Sequence, residues 1–390
     1  MDYSINIKIL TWQGFLTGFS LWAPIAAIYF SKVSGSYALG LSIFSIAMVS
    51  SAVFEIPTGI FSDLIGRKYT TMLGGFFYIL GGIFYAFGFN YWWLVVGAIM
   101  EGLARSFYSG NNDALLYDSL NRSDKKEELE KFMGYIGSAE QWALGIAALL
   151  GGILASKYSL SLVMWLSVIP LLFCFISSWW LIEIKNNKKS ETNIYSHMKE
   201  AIIKFRKNKK LRLLSLSSIL GFGVSEASFQ FYNVFIATLW PLWAIGIARM
   251  LSNVGAAIGF GWSGKLIRKF KAANILIFDK IYSGTATMIS LIFPSTLSPL
   301  LVSTCSFLYG PSIVAENSIF QKEFSDKQRA TMGSLNSFGR SIFFAIAAVV
   351  LGIIADKTSP RIALISGQIF GVISIWLTWK LFKLMKNPNT

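Results

Sequence analysis

Six ionisable residues stand inside stretches that are otherwise apolar: Glu101, Arg105, Glu140, Glu226, Arg249 and Arg340. A charge without a partner is expensive in such surroundings, so each should pair with an opposite charge or serve a purpose. A carboxyl group in a dry cavity can load and release a proton near neutral pH. Glu140 and Glu226 are the candidates for that chemistry, or for recognition of a cation; the alternative is fixed pairing with Arg249 or Arg340. Glu101 and Arg105 are four apart, hence on one face of a helix, and Tyr108 and Asn112 continue that face. Glu226, Gln230 and Asn233 form a second polar stripe at helical spacing. Gln141 and Trp142 follow Glu140, and Trp22 lies deep in the first apolar stretch. These side chains are candidates to line a cavity for a bulky ligand, with plain packing as the alternative. Glu55 and Glu316 fall nearer the ends of their stretches and suit gating or packing.

The elements that must hold these residues are long and greasy. Of 390 residues, 54% are hydrophobic and 14% charged, with mean hydropathy +0.54; an ordinary soluble domain carries roughly 25% charged residues. Runs of about 20 apolar residues, enough to cross a bilayer, recur from end to end. About twelve fit: 8–31, 37–61, 69–89, 91–118, 131–155, 159–184, 211–238, 240–264, 272–293, 297–321, 329–355 and 360–383. The first run is too long for the core of a signal peptide and is read as a retained span.

The net charge is +15. The bases gather between runs, which marks topology and argues against a nucleic-acid partner. Arg67 and Lys68 follow the second run, Arg122 to Lys131 the fourth, Lys265 to Lys271 the eighth, and Lys380 to Lys386 the last. The alternate loops Gly88-Phe89-Asn90 and Pro294-Ser295-Thr296 carry none. Both termini are therefore expected in the cytoplasm. The polar segment 185–210 separates two bundles, 1–184 and 211–390; Ile194, Met198, Ile202 and Phe205 within it predict an amphipathic surface helix on anionic lipid. Cys174 and Cys305 lie inside apolar runs and His197 is the one histidine, so no metal site or disulfide framework is expected. No Gly-Lys-Ser/Thr loop is present to cradle ATP phosphates.

Between the second and third runs stands Gly59-Ile60-Phe61-Ser62-Asp63-Leu64-Ile65-Gly66-Arg67-Lys68. Gly59 suits close helix approach and Gly66 a positive φ. Asp63 can pair with a cation or accept bonds at the start of the next helix. The segment resembles the signature loop of the major facilitator superfamily, a family of secondary transporters. That resemblance implies an all-α integral membrane protein of twelve transmembrane helices in two pseudo-symmetric six-helix bundles. It implies that helices 1, 4, 7 and 10 line a central cavity and that the halves rock about it. It makes Asp63, Gly66, Arg67 and Lys68 a gate latch, with Asp118 as partner of Arg67. Within the chain, Gly151 to Lys157 resembles Leu351 to Lys357, as expected of repeated halves.

In the drug-exporter branch of that family an arginine of the fourth helix is linked to proton coupling. Arg105 matches by position, which puts Arg105 and Glu101 in a proton relay; a fixed ion pair is the alternative. The surrounding pattern departs, and Ala147-Ala148 stands where antiporters carry Gly-Pro ahead of Gly151-Gly152. The resemblance implies a monomeric transporter of a bacterial plasma or inner membrane. It would be no enzyme and use no cofactor, with a proton gradient as its energy source. The leading expectation is proton-coupled efflux of small amphipathic compounds, of multidrug or antibiotic type; the alternative is proton-coupled or facilitated uptake of a small polar metabolite, anions included.

Overall fold

The computed structural model describes residues 3–184, 209–323 and 326–386. Among them the regular structure is helical: α1 (Ser4–Gly18), α2 (Ala26–Ser34), α3 (Tyr37–Ile65), α4 (Arg67–Phe87), α5 (Tyr91–Tyr108), α6 (Asn111–Arg122), α7 (Leu129–Lys157), α8 (Leu160–Ser177), α9 (Lys209–Ile236), α10 (Leu242–Phe270), α11 (Ala272–Ile292), α12 (Ser298–Glu323), α13 (Asp326–Lys357) and α14 (Pro360–Lys386). The chain divides into two compact units, Met1–Lys189 with Trp240–Val254, and Ser190–Leu239 with Gly255–Thr390. The amphipathic helix expected near Ile194 to Phe205 lies outside the described residues.

Among the described residues, nine helices are long and apolar enough to cross a membrane: α3, α4, α7, α8 and α10 to α14. The runs missing from that set are the first, the fourth and the seventh. The first was expected unbroken over 8–31. It stops at Gly18 and resumes at Ala26, and the irregular stretch between contains Pro24, which has no N–H to give a helix. The fourth was expected unbroken over 91–118. It breaks at Ser109-Gly110, where Gly110 takes φ 68°, a conformation that costs glycine nothing. The seventh, α9, is continuous but carries the polar stripe of Glu226, Gln230 and Asn233. Interrupted backbone and polar side chains are tolerated at membrane depth where protein or a cavity surrounds them, not where lipid does.

Caps fix the other boundaries. Ser36 Oγ accepts the Leu39 N–H at 3.1 Å to open α3, and Asn90 Oδ1 accepts from Trp92 and Trp93 to open α5. Ser159 accepts from Leu162 at the start of α8, and Ser359 from Ile362 at the start of α14. The likeness of Gly151–Lys157 to Leu351–Lys357 thus extends into the following cap.

The first unit packs Phe30, Ile43, Tyr85, Leu94 and Met164 into one cluster. Trp22, in the break of the first run, lays its ring on Phe30 and Tyr85, with centroids 5.9 and 5.8 Å apart. The break itself rests on α7, because Gly151 presents only a hydrogen to the Leu21 carbonyl and a methyl there would collide with it. The second unit packs Leu211, Leu214, Leu276, Ala315, Ile319, Leu381 and Phe382. Gly259 lets α10 reach the Phe307 backbone of α12.

Candidate functional site

The loop between α3 and α4 is built around Gly66, which takes φ 98°. The first backbone N–H groups of α4 have no partner within the helix and need an acceptor. The structure supplies one that sequence reading missed. The carboxylate of Glu183, beyond the end of α8, accepts from Arg67 N at 3.0 Å and from Lys68 N at 2.8 Å. Lys68 Nζ donates to the Trp179 carbonyl at 2.8 Å, tying the same two segments. A side chain at Gly66 would run into the Glu183 carboxylate. Arg67 pairs with Asp118 of α6 at 3.2 Å, the partner anticipated from sequence. Asn111 adds a further link, donating to the Arg67 carbonyl at 3.1 Å and accepting from Ser62 at 2.6 Å.

Two readings of this loop are corrected. Asp63 is exposed and, among the described residues, makes no hydrogen bond or ion pair; Glu183 does the work expected of it at the start of α4. Gly59 is exposed with no atom within 4 Å of where a Cβ would stand, so among the described residues it serves no close approach. Its neighbour Thr58 is the buried contact, donating to the Ser106 carbonyl at 3.1 Å.

The first polar centre lies between α4, α5 and α7. Arg105 donates to Glu101 Oε1 through Nε at 3.0 Å and Nη2 at 2.5 Å, within one helix. Tyr85 OH donates to Glu101 Oε2 at 2.7 Å. Both oxygens of this buried carboxylate are therefore engaged, while 44% of the Arg105 side chain stays exposed. Glu140, exposed on α7, lies within electrostatic reach of Arg105. Tyr78, two turns before Tyr85 on α4, lies within reach of Glu101, Arg105 and Glu140. Neither tyrosine was singled out from sequence, although their i, i+7 spacing put them on one face of α4.

The face expected to run from Glu101 through Tyr108 to Asn112 is cut by the break at Gly110. Tyr108 packs inside the unit instead: its ring meets Tyr78 at 5.4 Å, Gly74 and Gly75 make room for it, and its hydroxyl sits 3.5 Å from Cys174 Sγ. Asn112 accepts from Thr71 at 3.0 Å. Trp22 is likewise a packing residue. Gln141 is half-buried and Trp142 is 56% exposed. Arg249 is buried on the part of α10 that joins this unit, which meets α7 through Gly246 against Gly152.

The second polar centre belongs to the other unit. Arg340 of α13 pairs with Glu316 of α12 at 2.5 Å and donates to Ser218 of α9. The base is thus taken by Glu316, assigned from sequence to gating or packing, and not by Glu140 or Glu226. Glu226 accepts from Gln230 at 2.8 Å, one turn along its own helix, and Asn233 is buried. Sequence reading overlooked Asp279 and Lys280 of α11, adjacent opposite charges in an apolar run, which was signal enough. Lys280 Nζ donates to Ser374 at 2.6 Å and Ser217 at 3.3 Å. Among the described residues no cluster suited to a metal ion is found.

The family model of the Major Facilitator Superfamily matches residues 10–348. An uncharacterized MFS-type transporter of Methanocaldococcus jannaschii is 26% identical over 376 residues, covering 90% of this chain and 91% of that protein. The multidrug resistance protein MdtG of Escherichia coli is 27% identical over 335 residues, 79% of this chain and 78% of its own. A crystal structure of a variant of the nucleoside transporter NupG superposes with a TM-score of 0.83 over 98% of this chain and all of that one; at 13% identity the likeness is one of fold.

Proposed function

The chain belongs to the major facilitator superfamily, and on that footing we propose that it exports small amphipathic compounds in exchange for protons by alternating access. The observation that carries this reading is the charge balance of the first polar centre. One guanidinium, Arg105, faces two carboxylates. Glu101 has both oxygens occupied by Arg105 and Tyr85, so the surplus charge resides on the exposed Glu140. A surplus carboxylate can be neutralised by a proton or by a cationic substrate, but not by both at once. Mutual exclusion of that kind is the thermodynamic core of exchange. Protonation from outside displaces the compound, and loss of the proton inside readmits the next.

The name of MdtG, a multidrug resistance protein, supports the substrate class. The loop held by Gly66, Glu183 and the Arg67–Asp118 pair serves as a latch that favours one state of the cycle. The basic segments on one side support cytoplasmic termini and residence in the plasma or inner membrane. The transporter works as a monomer.

The test is overproduction in cells deprived of their own exporters. Tolerance to tetraphenylphosphonium or ethidium should rise with the parent protein and return to background with Glu140→Gln. If Glu140→Gln protects as well as the parent, exchange at this carboxylate is refuted. A second reading, uptake of an anionic metabolite, gains from the exposed guanidinium of Arg105. It predicts that an inward proton gradient drives labelled organic anions into proteoliposomes, with no effect on tolerance to cations.

A further inference from the structure

Asp279 and Lys280 are consecutive residues in the middle of α11, yet they face different partners. Lys280 reaches into a nest of hydroxyl groups, Ser374 and Ser217, and Ser217 lies 2.5 Å from Thr378. Gly221 of α9 makes the space, since a Cβ there would stand 3.1 Å from the ammonium. Asp279 turns to two other hydroxyl groups. Ser283, one turn along α11, donates to it at 3.0 Å. Ser312 of α12 lies within electrostatic reach of it, with a buried Oγ that has no hydrogen-bond partner among the described residues. The surrounding ionisable groups are Lys280 on its own helix, Glu316 and Cys305 on α12, and Arg340 on α13; from α9 and α14 the facing groups are the neutral Ser217, Ser374 and Thr378.

The two carboxylates of this network differ in kind. Glu316 is bonded directly to a guanidinium, that of Arg340. Asp279 is bonded by a hydroxyl, that of Ser283, and has the unpartnered Ser312 hydroxyl nearby. A hydroxyl donates to a carboxylate and accepts from a carboxylic acid with equal ease, so both protonation states of Asp279 find their hydrogen bonds without rearranging the helices. A half-buried group that can be satisfied in both states suits a proton carrier, and an ionisable residue at membrane depth is by default a functional one.

We propose that Asp279 is a second proton-carrying site of this transporter, lodged in the C-terminal unit and served by Ser283 and Ser312. The inference rests on the proton-coupled reading above, and adds a carrier that is independent of Glu140. In the step itself a hydronium ion gives a proton to one carboxylate oxygen of Asp279: the carboxyl O–H bond forms as the donor's O–H bond breaks, leaving a water molecule. The new O–H then donates to a serine oxygen while that serine's own hydrogen swings away; no other bond changes.

The test needs no transported compound. Purified protein in lipid nanodiscs is titrated while infrared difference spectra follow the carbonyl stretch of protonated carboxyl groups. The parent should gain this band on acidification. Asp279→Asn should lose one carboxyl's share of it, whereas Glu316→Gln should keep that share. Lys280→Met should displace its midpoint by about one pH unit or more, the effect of removing a neighbouring unit charge. Asp279→Glu should retain the band at a displaced frequency, which keeps the test open if the asparagine variant does not fold. A band untouched by both Asp279 variants, or removed by Glu316→Gln or Glu140→Gln alone, overturns the proposal. Because no efflux is measured, such a result leaves the exchange reading standing or falling on its own assay.

Discussion

Glu183 and Asp63 are both acids near the signature loop, yet among the described residues one is engaged and the other is not. Charge-assisted bonds to the unpaired N–H groups that open a helix are worth about 1–2 kcal/mol. Glu183→Gln should therefore lower the stability of the purified protein by about that amount in a thermal melt, and Asp63→Asn, exposed and without a partner among the described residues, should move it by less than about 0.5 kcal/mol. The reverse ranking would mean that Asp63 acts as the helix acceptor after all. Gly66→Ala meets two obstacles, a φ of 98° that alanine resists and the Glu183 carboxylate in the way. It should cost about 1–3 kcal/mol, while Gly59→Ala should be neutral. The motif was legible in the sequence, including the pairing of Arg67 with Asp118. The identity of the acceptor was not, because Glu183 lies more than a hundred residues away in the chain and only the packing of α8 beside α4 brings it near.

At the scale of elements, the apolar runs announced most helices to within a few residues, because lipid demands a length and a composition that a sequence displays openly. The two breaks went unread. Each had a local signal, Pro24 in the first run and Ser109-Gly110 in the fourth, but a proline or glycine in a membrane helix is often absorbed by its neighbours. What makes the first break a fixed feature is tertiary: the Leu21 carbonyl fits against Gly151 of α7. The same helix offers an internal comparison, since a methyl group at Gly137 would meet no atom within 4 Å. Gly151→Ala should destabilise the purified protein by about 1–3 kcal/mol through overpacking, whereas Gly137→Ala should be neutral or stabilising by up to about 1 kcal/mol. Equal melting temperatures for the two variants would show that the break does not lean on α7. The polar stripe of α9 and the breaks in the first and fourth runs fall on the helices that the family resemblance assigned to the cavity.

For the whole molecule the decisive quantity is the alternation of basic and neutral loops. Polybasic segments stay in the cytoplasm because moving them across the membrane is opposed by the potential and by anionic lipid. The loop Gly88-Phe89-Asn90 carries no base, and Arg122 closes α6 in a basic one. An odd number of crossings between them puts the two positions on opposite faces, although the fourth run is broken at Gly110, because α5 and α6 together still make one passage. Phe89 is 68% exposed and leaves the Asn90 cap intact when changed. Cysteines at Phe89 and Arg122, each introduced into a chain whose Cys174 and Cys305 have been replaced by serine, can be probed with a membrane-impermeant maleimide. Phe89→Cys should react in intact cells, and Arg122→Cys only after the membrane is opened. Reaction of both from the same side would mean that the fourth run turns back at its break instead of crossing. In that case Glu101 and Arg105 would lie in a re-entrant arm, and the exchange site built on them would have access to one side of the membrane alone.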